Sequence, residues 1–423
     1  MSFIYNLIIK TYQMSLVMAA PFHEKAEKML SGRKGVFEQI TTDFPTNVTE
    51  NMQPVAWFHC ASLGEFEQGR TLIEAFRKKY LSYKIVLTFF SPSGYEVRKN
   101  YEFADAVYYL PFDGAENAKK WFDLIKPSII FFVKYEFWYY YLHEAKKRNI
   151  ITISFSAIFR ENQVFFKSYS KFYQNILRCF THIFVQNQNS LNLLQSIDLQ
   201  QVTIAGDTRF DRVIEIAKQA KKFPIIEEFK QQDFLLMIGS SWADDIAVLA
   251  PFINQFDTQF DKKLKIVIAP HEISENNLQN IENSLKTKKI IRYSQISTFT
   301  DADILVIDNI GMLSSLYAYA DVAFVGGGYG DGLHNILEAA VFGVPILFGN
   351  KKYHKFQEAI DLLALQGAFS IQNSEELQAI FSQIYTNITY RKAISTICYD
   401  YVQSNQGGTE KIMNFLDLLH INK

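Results

Sequence analysis

Cysteine is scarce. The chain of 423 residues has three, Cys60, Cys179 and Cys398, far apart in sequence. No two have metal-ligand spacing, and so few exclude a disulfide framework, which fits a reducing cytoplasm. Net charge is nearly absent too, at a formal -1. That excludes a protein-wide basic field for nucleic acid and leaves room only for local patches. No run reaches the roughly 18–20 uninterrupted apolar residues that span a bilayer. Residues 1–22, MSFIYNLIIKTYQMSLVMAAPF, come nearest, and Lys10 breaks them. Without a positive cluster at its start, the segment does not read as a signal peptide. The acidic groups at 243–245 and 301–303 have no third ligand at metal spacing, so no metal cofactor is expected.

What is present is an ordinary globular composition, 48% hydrophobic and 21% charged. The length exceeds what one core usually supports, so two domains are expected. The apolar N-terminus is followed by Lys25, Lys28, Arg33 and Lys34 against Glu24 and Glu27. Such a segment lies in a membrane interface or else packs as a helix on the protein itself.

Short β-branched and aromatic runs alternate with helical patterns along the whole chain. Strands are expected at 56–62, 84–91, 106–111, 128–136, 151–157, 182–187 and 202–207, then at 233–241, 265–270, 304–308, 321–327 and 345–349. They are apolar on both faces, as strands between helix layers are. The charged stretch 218–232 separates the two sets. The expectation is an α/β protein of two Rossmann-like parallel-sheet domains facing across a cleft. Its parts are a membrane-associated helix region at 1–35, a first domain at 36–217 and a second at 218–423. Ligands of such sheets bind beyond the carboxyl ends of the strands, so the chemistry is sought there.

The most pronounced local signal is DVAFVGGGYGDGLHNILEAAVFGVPILFG, 321–349. A strand runs into five glycines within seven residues, Gly326 to Gly332, with a helix expected from about Leu333. Glycines such as Gly327 and Gly328 let backbone approach a phosphate, and a helix start offers free N–H groups. His334, Asn335 and Glu338 then share one helix face. The bland alternative is a glycine-rich connection between packed elements. In WFHCASLGEFEQG, 57–69, Glu65 follows a strand end. It can take a proton from an attacking hydroxyl, or it can close a capping box with Ser62. Glu136 closes the apolar strand of VKYEFW, where it contacts substrate or pairs with Lys134. Arg209 and Arg212 bind an anion bidentately or pair with Asp207 or Asp211. Ser240 and Ser241 of GSSW suit a phosphate or cap the next helix. His271, in APHEIS, contacts phosphate or is a surface histidine.

In this order, these segments resemble the 3-deoxy-D-manno-octulosonic acid (Kdo) transferases of Gram-negative bacteria, over nearly the whole chain. HCASLGE (59–65) stands for the family's His-Ala-hydroxyl-Val-Gly-Glu turn, which puts its general base on Glu65. PFD (111–113), KP (126–127), KYEFWYY (134–140), GDTRFD (206–211) and GLHNILE (332–338) follow. The chain departs from the family at Lys134, where a glutamate is usual, at Tyr139 for proline, and at His271 for arginine. Arg160, in SAIFRE, only approximates the family arginine.

The resemblance implies a glycosyltransferase-B fold and inverting, metal-independent transfer of Kdo from CMP-Kdo to a lipid A precursor. The expected place is the cytoplasmic face of the inner membrane. With the readings of the glycine turn and of GSSW above, it leads to expected donor contacts from Arg209, Ser240, Ser241, His271, Gly327, Gly328, His334, Asn335 and Glu338, and acceptor contacts from Glu136 and Arg160. The rival readings are another two-domain glycosyltransferase, a sugar-nucleotide epimerase, or an inactive membrane-bound nucleotide-sugar binding protein.

Overall fold

The computed structural model describes residues 2–44, 53–256, 264–296, 301–330, 332–419 and 421. The chain forms two compact units, one of Met1–Arg212 with Gln406–Lys423 and one of Val213–Asn405.

The first unit holds β1 (Val55–Cys60), β2 (Lys84–Phe89), β3 (Ala106–Tyr109), β4 (Pro127–Val133), β5 (Ile151–Ala157), β6 (His182–Val185) and β7 (Val202–Ile204). They make one parallel sheet in the order β3-β2-β1-β4-β5-β6-β7. Successive side chains of a strand face opposite sides, and here both sides are covered. Along β1, Val55 and Trp57 join a core with Trp121 and Phe132. Ala56, Phe58 and Cys60 join another with Phe76 and Phe131. The order reverses between β1 and β4, so their carboxyl ends flank the topological switch point where open α/β sheets bind ligands.

The second unit holds β8 (Phe234–Ser241), β9 (Leu264–Pro270), β10 (Ile290–Arg292), β11 (Ile304–Val306), β12 (Val322–Val325), β13 (Ile346–Gly349) and β14 (Ala368–Ile371). This sheet is parallel as well, ordered β10-β11-β9-β8-β12-β13-β14. Its switch point lies between β8 and β12.

Three expectations change. The second domain does not keep residues 218–423 together, because the helix Gly408–Leu418 packs on the first unit. Asp211 accepts the Gly407 and Thr409 N–H groups at 2.6 and 2.7 Å, and Lys79 pairs with Asp417. Ile412, Met413 and Leu416 complete the core around Phe58 and Leu72. Second, residues 1–35 are not a region apart. The helix Ser2–Ala19 is anchored by the Tyr5 hydroxyl, which donates to buried Asp113 at 2.5 Å. Asp113 also accepts the Tyr140 and Tyr141 N–H groups at the start of the helix Tyr139–Lys147. Third, Arg33 does not belong to a basic surface patch. Its guanidinium donates to the carbonyls of Met29, Phe90 and Leu110 and lies against the Phe90 and Phe112 rings. Burial lowers it to about 10. The other face of the first helix is exposed and apolar, with Phe3 77%, Met14 68% and Met18 72% accessible. Among the described residues, no helix is long and apolar enough to cross a membrane.

Candidate active site

In the first unit the switch point gathers carboxylates. The helix Leu63–Lys79 begins straight after β1, with Ser62 as its N-cap and Glu65 in its first turn. The Ser62 hydroxyl donates to Glu65 at 3.0 Å rather than accepting from the helix backbone. The capping box is therefore half formed, and Glu65 keeps its carboxyl at the strand end. Burial, then the nearby Glu136 charge, push that carboxyl up to about 7, against opposing pulls from Ser62 and Lys134. A base poised near neutrality is suited to moving a proton in both directions. Cys60, at the end of the same strand, is fully buried, and burial holds its thiol well above its ordinary value. It has no thiolate to offer as a nucleophile.

Glu136 accepts from the Trp138 indole at 2.6 Å and lies 3.0 Å from His59 Nε2. The Trp138 indole also reaches that nitrogen, at 3.3 Å. Nδ1 of His59 lies 2.8 Å from the Thr88 hydroxyl, to which the Trp57 indole donates at 2.8 Å. A buried relay thus runs from Trp57 through Thr88 and His59 to Glu136. Lys134 has a left-handed backbone, φ 62°, at the end of β4. Its charge lowers both Glu65 and Asp207. Arg160 is exposed and donates to the Tyr135 hydroxyl at 2.9 Å.

Arg209 grips Asp207 through Nε and Nη2 at 3.0 and 2.8 Å, and Gln68 and Gln186 donate to the same carboxylate. Burial raises the Asp207 carboxyl, but the Arg209 charge, its hydrogen bonds and the Lys134 charge together hold the group below its ordinary value. Arg212 lies 3.8 Å from Glu67. The ion-pair alternative holds for Arg209, inside the first unit.

In the second unit the strand ends present rings and backbone. Ser240 sits at a register shift in β8 with φ 52°, a bulge that turns the strand end aside. Neither serine caps the next helix. The N-cap of Ala243–Gln255 is Trp242, and its N–H donates to Asp245 at 2.8 Å. Ser241 Oγ and Asp245 Oδ1 are buried and have no hydrogen-bond partner among the described residues. Burial pushes the Asp245 carboxyl up to about 6, although the Gly327 and Trp242 N–H groups draw it down. Trp242 stacks on His271, and its indole donates to His334 at 3.1 Å.

The glycine turn differs from its expected form. The helix begins at Leu337, not near Leu333, and ends at Ala340. Asn335 Oδ1 accepts the Leu337 N–H, His334 N–H bonds back to Gly326 O, and Leu333 N–H bonds to Lys352 O. These bonds draw His334 and Asn335 out of the helix, so the helix start does not head the turn. Asn335 donates to Glu338 at 3.2 Å. Gly327 gives its N–H to Asp245 and has φ 87°, where a Cβ would meet Gly332 O at 2.2 Å. A Cβ on Gly328 would strike the Gly349 backbone at 2.4 Å. Internal crowding thus requires both glycines. Asp331, inside the expected turn, lies outside the described residues. Among those described, no group of three or more His, Cys, Asp or Glu could hold a metal ion.

Two parallel-sheet units, each with its polar groups at the switch point, define the glycosyltransferase-B architecture. Solved structures of low identity share it. A UDP-GlcNAc 2-epimerase from Neisseria meningitidis bound to UDP-GlcNAc gives TM-score 0.60 at 14% identity, over 86% of this chain and 99% of that one. MurG of Acinetobacter baumannii gives 0.56 at 12%, over 86% and 99%. These likenesses carry the fold alone. Residues 32–212 match the family described as 3-deoxy-D-manno-octulosonic-acid transferase (kdotransferase). Curated relatives named 3-deoxy-D-manno-octulosonic acid transferase extend the match. That of Chlamydophila psittaci is 28% identical over 70% of this chain and 69% of its own length. That of Aquifex aeolicus is 24% identical over 81% and 89%. That of Rickettsia typhi is 25% identical over 88% and 79%. By these matches the chain is similar to the Kdo transferases over most of its length, and it is a glycosyltransferase of the B fold.

The relay residues His59 and Thr88, and Trp242 with Asp245, carried no assigned role in the sequence. His59 stands inside HCASLGE, which was its only signal. Trp242 and His334 are 92 residues apart, and nothing local links them.

Proposed function

We propose that this protein transfers Kdo from CMP-Kdo to a lipid A precursor (lipid IVA), inverting the donor's anomeric centre. The observation that carries this reading is Glu65, at the end of β1 inside the family-matched segment, with its carboxyl pushed up to about 7. Ionised Glu65 takes the proton of an acceptor hydroxyl. The hydroxyl oxygen attacks the Kdo anomeric carbon, and the bond to the CMP phosphate breaks with its electron pair leaving on the phosphate oxygen. Glu136, fixed by His59 and Trp138, and Arg160 contact the acceptor. Ser240, Ser241, His271, Gly327, Gly328, His334, Asn335 and Glu338 form the donor side, with the start of the helix Ala243–Gln255 favouring the departing negative charge. Arg209, paired with Asp207, serves the donor phosphate.

The exposed apolar face of the helix Ser2–Ala19 suits a peripheral seat on the cytoplasmic face of the inner membrane, where a lipid acceptor is found. The reaction needs no bound metal in this account.

The test is transfer to a tetraacylated lipid A precursor with CMP-Kdo made in situ, read by mass spectrometry. A gain of one or more Kdo units that vanishes in Glu65→Ala supports the reading. No gain from folded, CMP-binding protein would assign a different sugar or acceptor.

A further inference from the structure

Three rings at the strand ends of the second unit form a compact triangle, the Trp242 and His334 centroids lying 6.5 Å apart. Trp242 follows β8, His271 follows β9 and His334 follows β12. The centroids of Trp242 and His271 lie 4.3 Å apart with planes at 23°, and those of His271 and His334 lie 4.7 Å apart at 36°. The Trp242 indole N–H also donates to Nε2 of His334 at 3.1 Å. An indole nitrogen only donates. Nε2 of His334 therefore carries the lone pair, the ring is neutral, and its proton sits on Nδ1. A charged imidazole would set two N–H groups against each other.

Trp242 is itself held in place. Its backbone N–H donates to Asp245 Oδ2 at 2.8 Å, and the Gly327 N–H donates to the same oxygen at 2.9 Å. One buried carboxylate thus joins the turn after β8 to the turn after β12, and the indole joins them again through His334. Two buried groups beside this junction, Ser241 Oγ and Asp245 Oδ1, have no hydrogen-bond partner among the described residues. Buried polar atoms of that kind are rare unless a ligand or water meets them.

We infer that Trp242 is a positioning residue for a nucleoside monophosphate group: it locks His334 as the neutral Nδ1–H tautomer and aligns it with His271. The inference rests on the donor reading of the second unit. A neutral donor of fixed direction recognises a phosphate or base oxygen without the cost of burying a charge. Trp242→Phe keeps a ring against His271 and removes the N–H. Loss of one neutral hydrogen bond corresponds to CMP binding weakened about 3- to 10-fold.

The experiment combines two readouts on the full-length protein. Two-bond 15N–1H correlation spectra give each histidine's tautomer, with His334 assigned by the signal missing in His334→Gln. Calorimetric titration with CMP gives affinity. The expected result is an Nδ1–H signal for His334 that is lost in Trp242→Phe, together with weaker CMP binding, a raised KM for donor and little change in kcat. In a His334→Gln background the Trp242→Phe change should add nothing. An Nε2–H signal in the wild type overturns the inference. So does unchanged CMP affinity in Trp242→Phe, or an equal loss in both backgrounds. A wild type that does not bind CMP at all would instead overturn the donor reading, and the inference with it.

Discussion

The two units use the same sheet in chemically different ways. At the switch point of the first, the side chains are titratable and close: Glu65 near Glu136, His59 against Glu136, Asp207 under Arg209. At the switch point of the second, the work falls to backbone, glycines and rings, with one buried carboxylate tying two turns together. The first arrangement can move a proton. The second can hold a polar ligand in one orientation. Each sheet also bends a strand next to this region, at Ser156 with φ 50° in β5 and at Ser240 with φ 52° in β8. Bulges in parallel strands are uncommon and cluster beside functional sites. The shared scaffold gives the place, and the residues at the strand ends give the chemistry.

The sharpest way to break this comparison is to remove chemistry from one unit and test whether binding in the other survives. Glu65→Gln should lower transfer roughly 100- to 10,000-fold, the span general bases contribute, with CMP affinity unchanged by calorimetry. Loss of both would show that the units do not divide the work. The converse change is Gly327→Ala. At φ 87°, with Gly332 O only 2.2 Å from the new Cβ, it should destabilise the turn by about 1–3 kcal/mol and abolish measurable CMP binding. The readouts are thermal unfolding and titration with CMP. A third change sharpens the electrostatics. Glu136→Gln removes the second largest cause of the raised Glu65 carboxyl but leaves burial in place. The acid limb of kcat/KM should move below 7 without reaching the ordinary carboxylate range, as read from the pH–rate profile.

The smallest effect is on stability. Folded Glu65 holds its proton up to about 7, above the ordinary 4.5. The folded state therefore binds more protons than the unfolded chain in that window, and stability is lost as pH rises through it. Glu65→Gln removes that loss. Its melting temperature relative to wild type should be higher at pH 8 than at pH 5 by about 2–4 °C. Differential scanning calorimetry at the two pH values checks the sign.

Legibility followed burial. Twelve strand segments were readable because sheets covered on both faces need continuous apolar runs, as the fully buried β1 and β9 do. The edge strands of the second sheet were not. β10 is half-buried throughout, and β14 is buried only at its ends, so neither carries such a run. The helix expected from Leu333 failed for a local reason: Asn335 bonds the Leu337 N–H and delays the start. Arg33 read as a surface charge because the carbonyls that bury it come from Met29, Phe90 and Leu110. Within the candidate site, Glu65 and Glu136 stood out as acids at strand ends. Their environment did not, since His59 meets Glu136 across 77 residues and Trp242 meets His334 across 92. Contacts of that span are products of the fold, and no local pattern encodes them.

The most direct test of this division of labour is the single-turnover transfer rate against pH, at saturating CMP-Kdo, for wild type and Glu65→Gln. The account predicts that wild type rises through an acid limb at about 7 and that the variant is slow and lacks the limb. The same limb persisting in Glu65→Gln would contradict it, because the titrating base would then be another group.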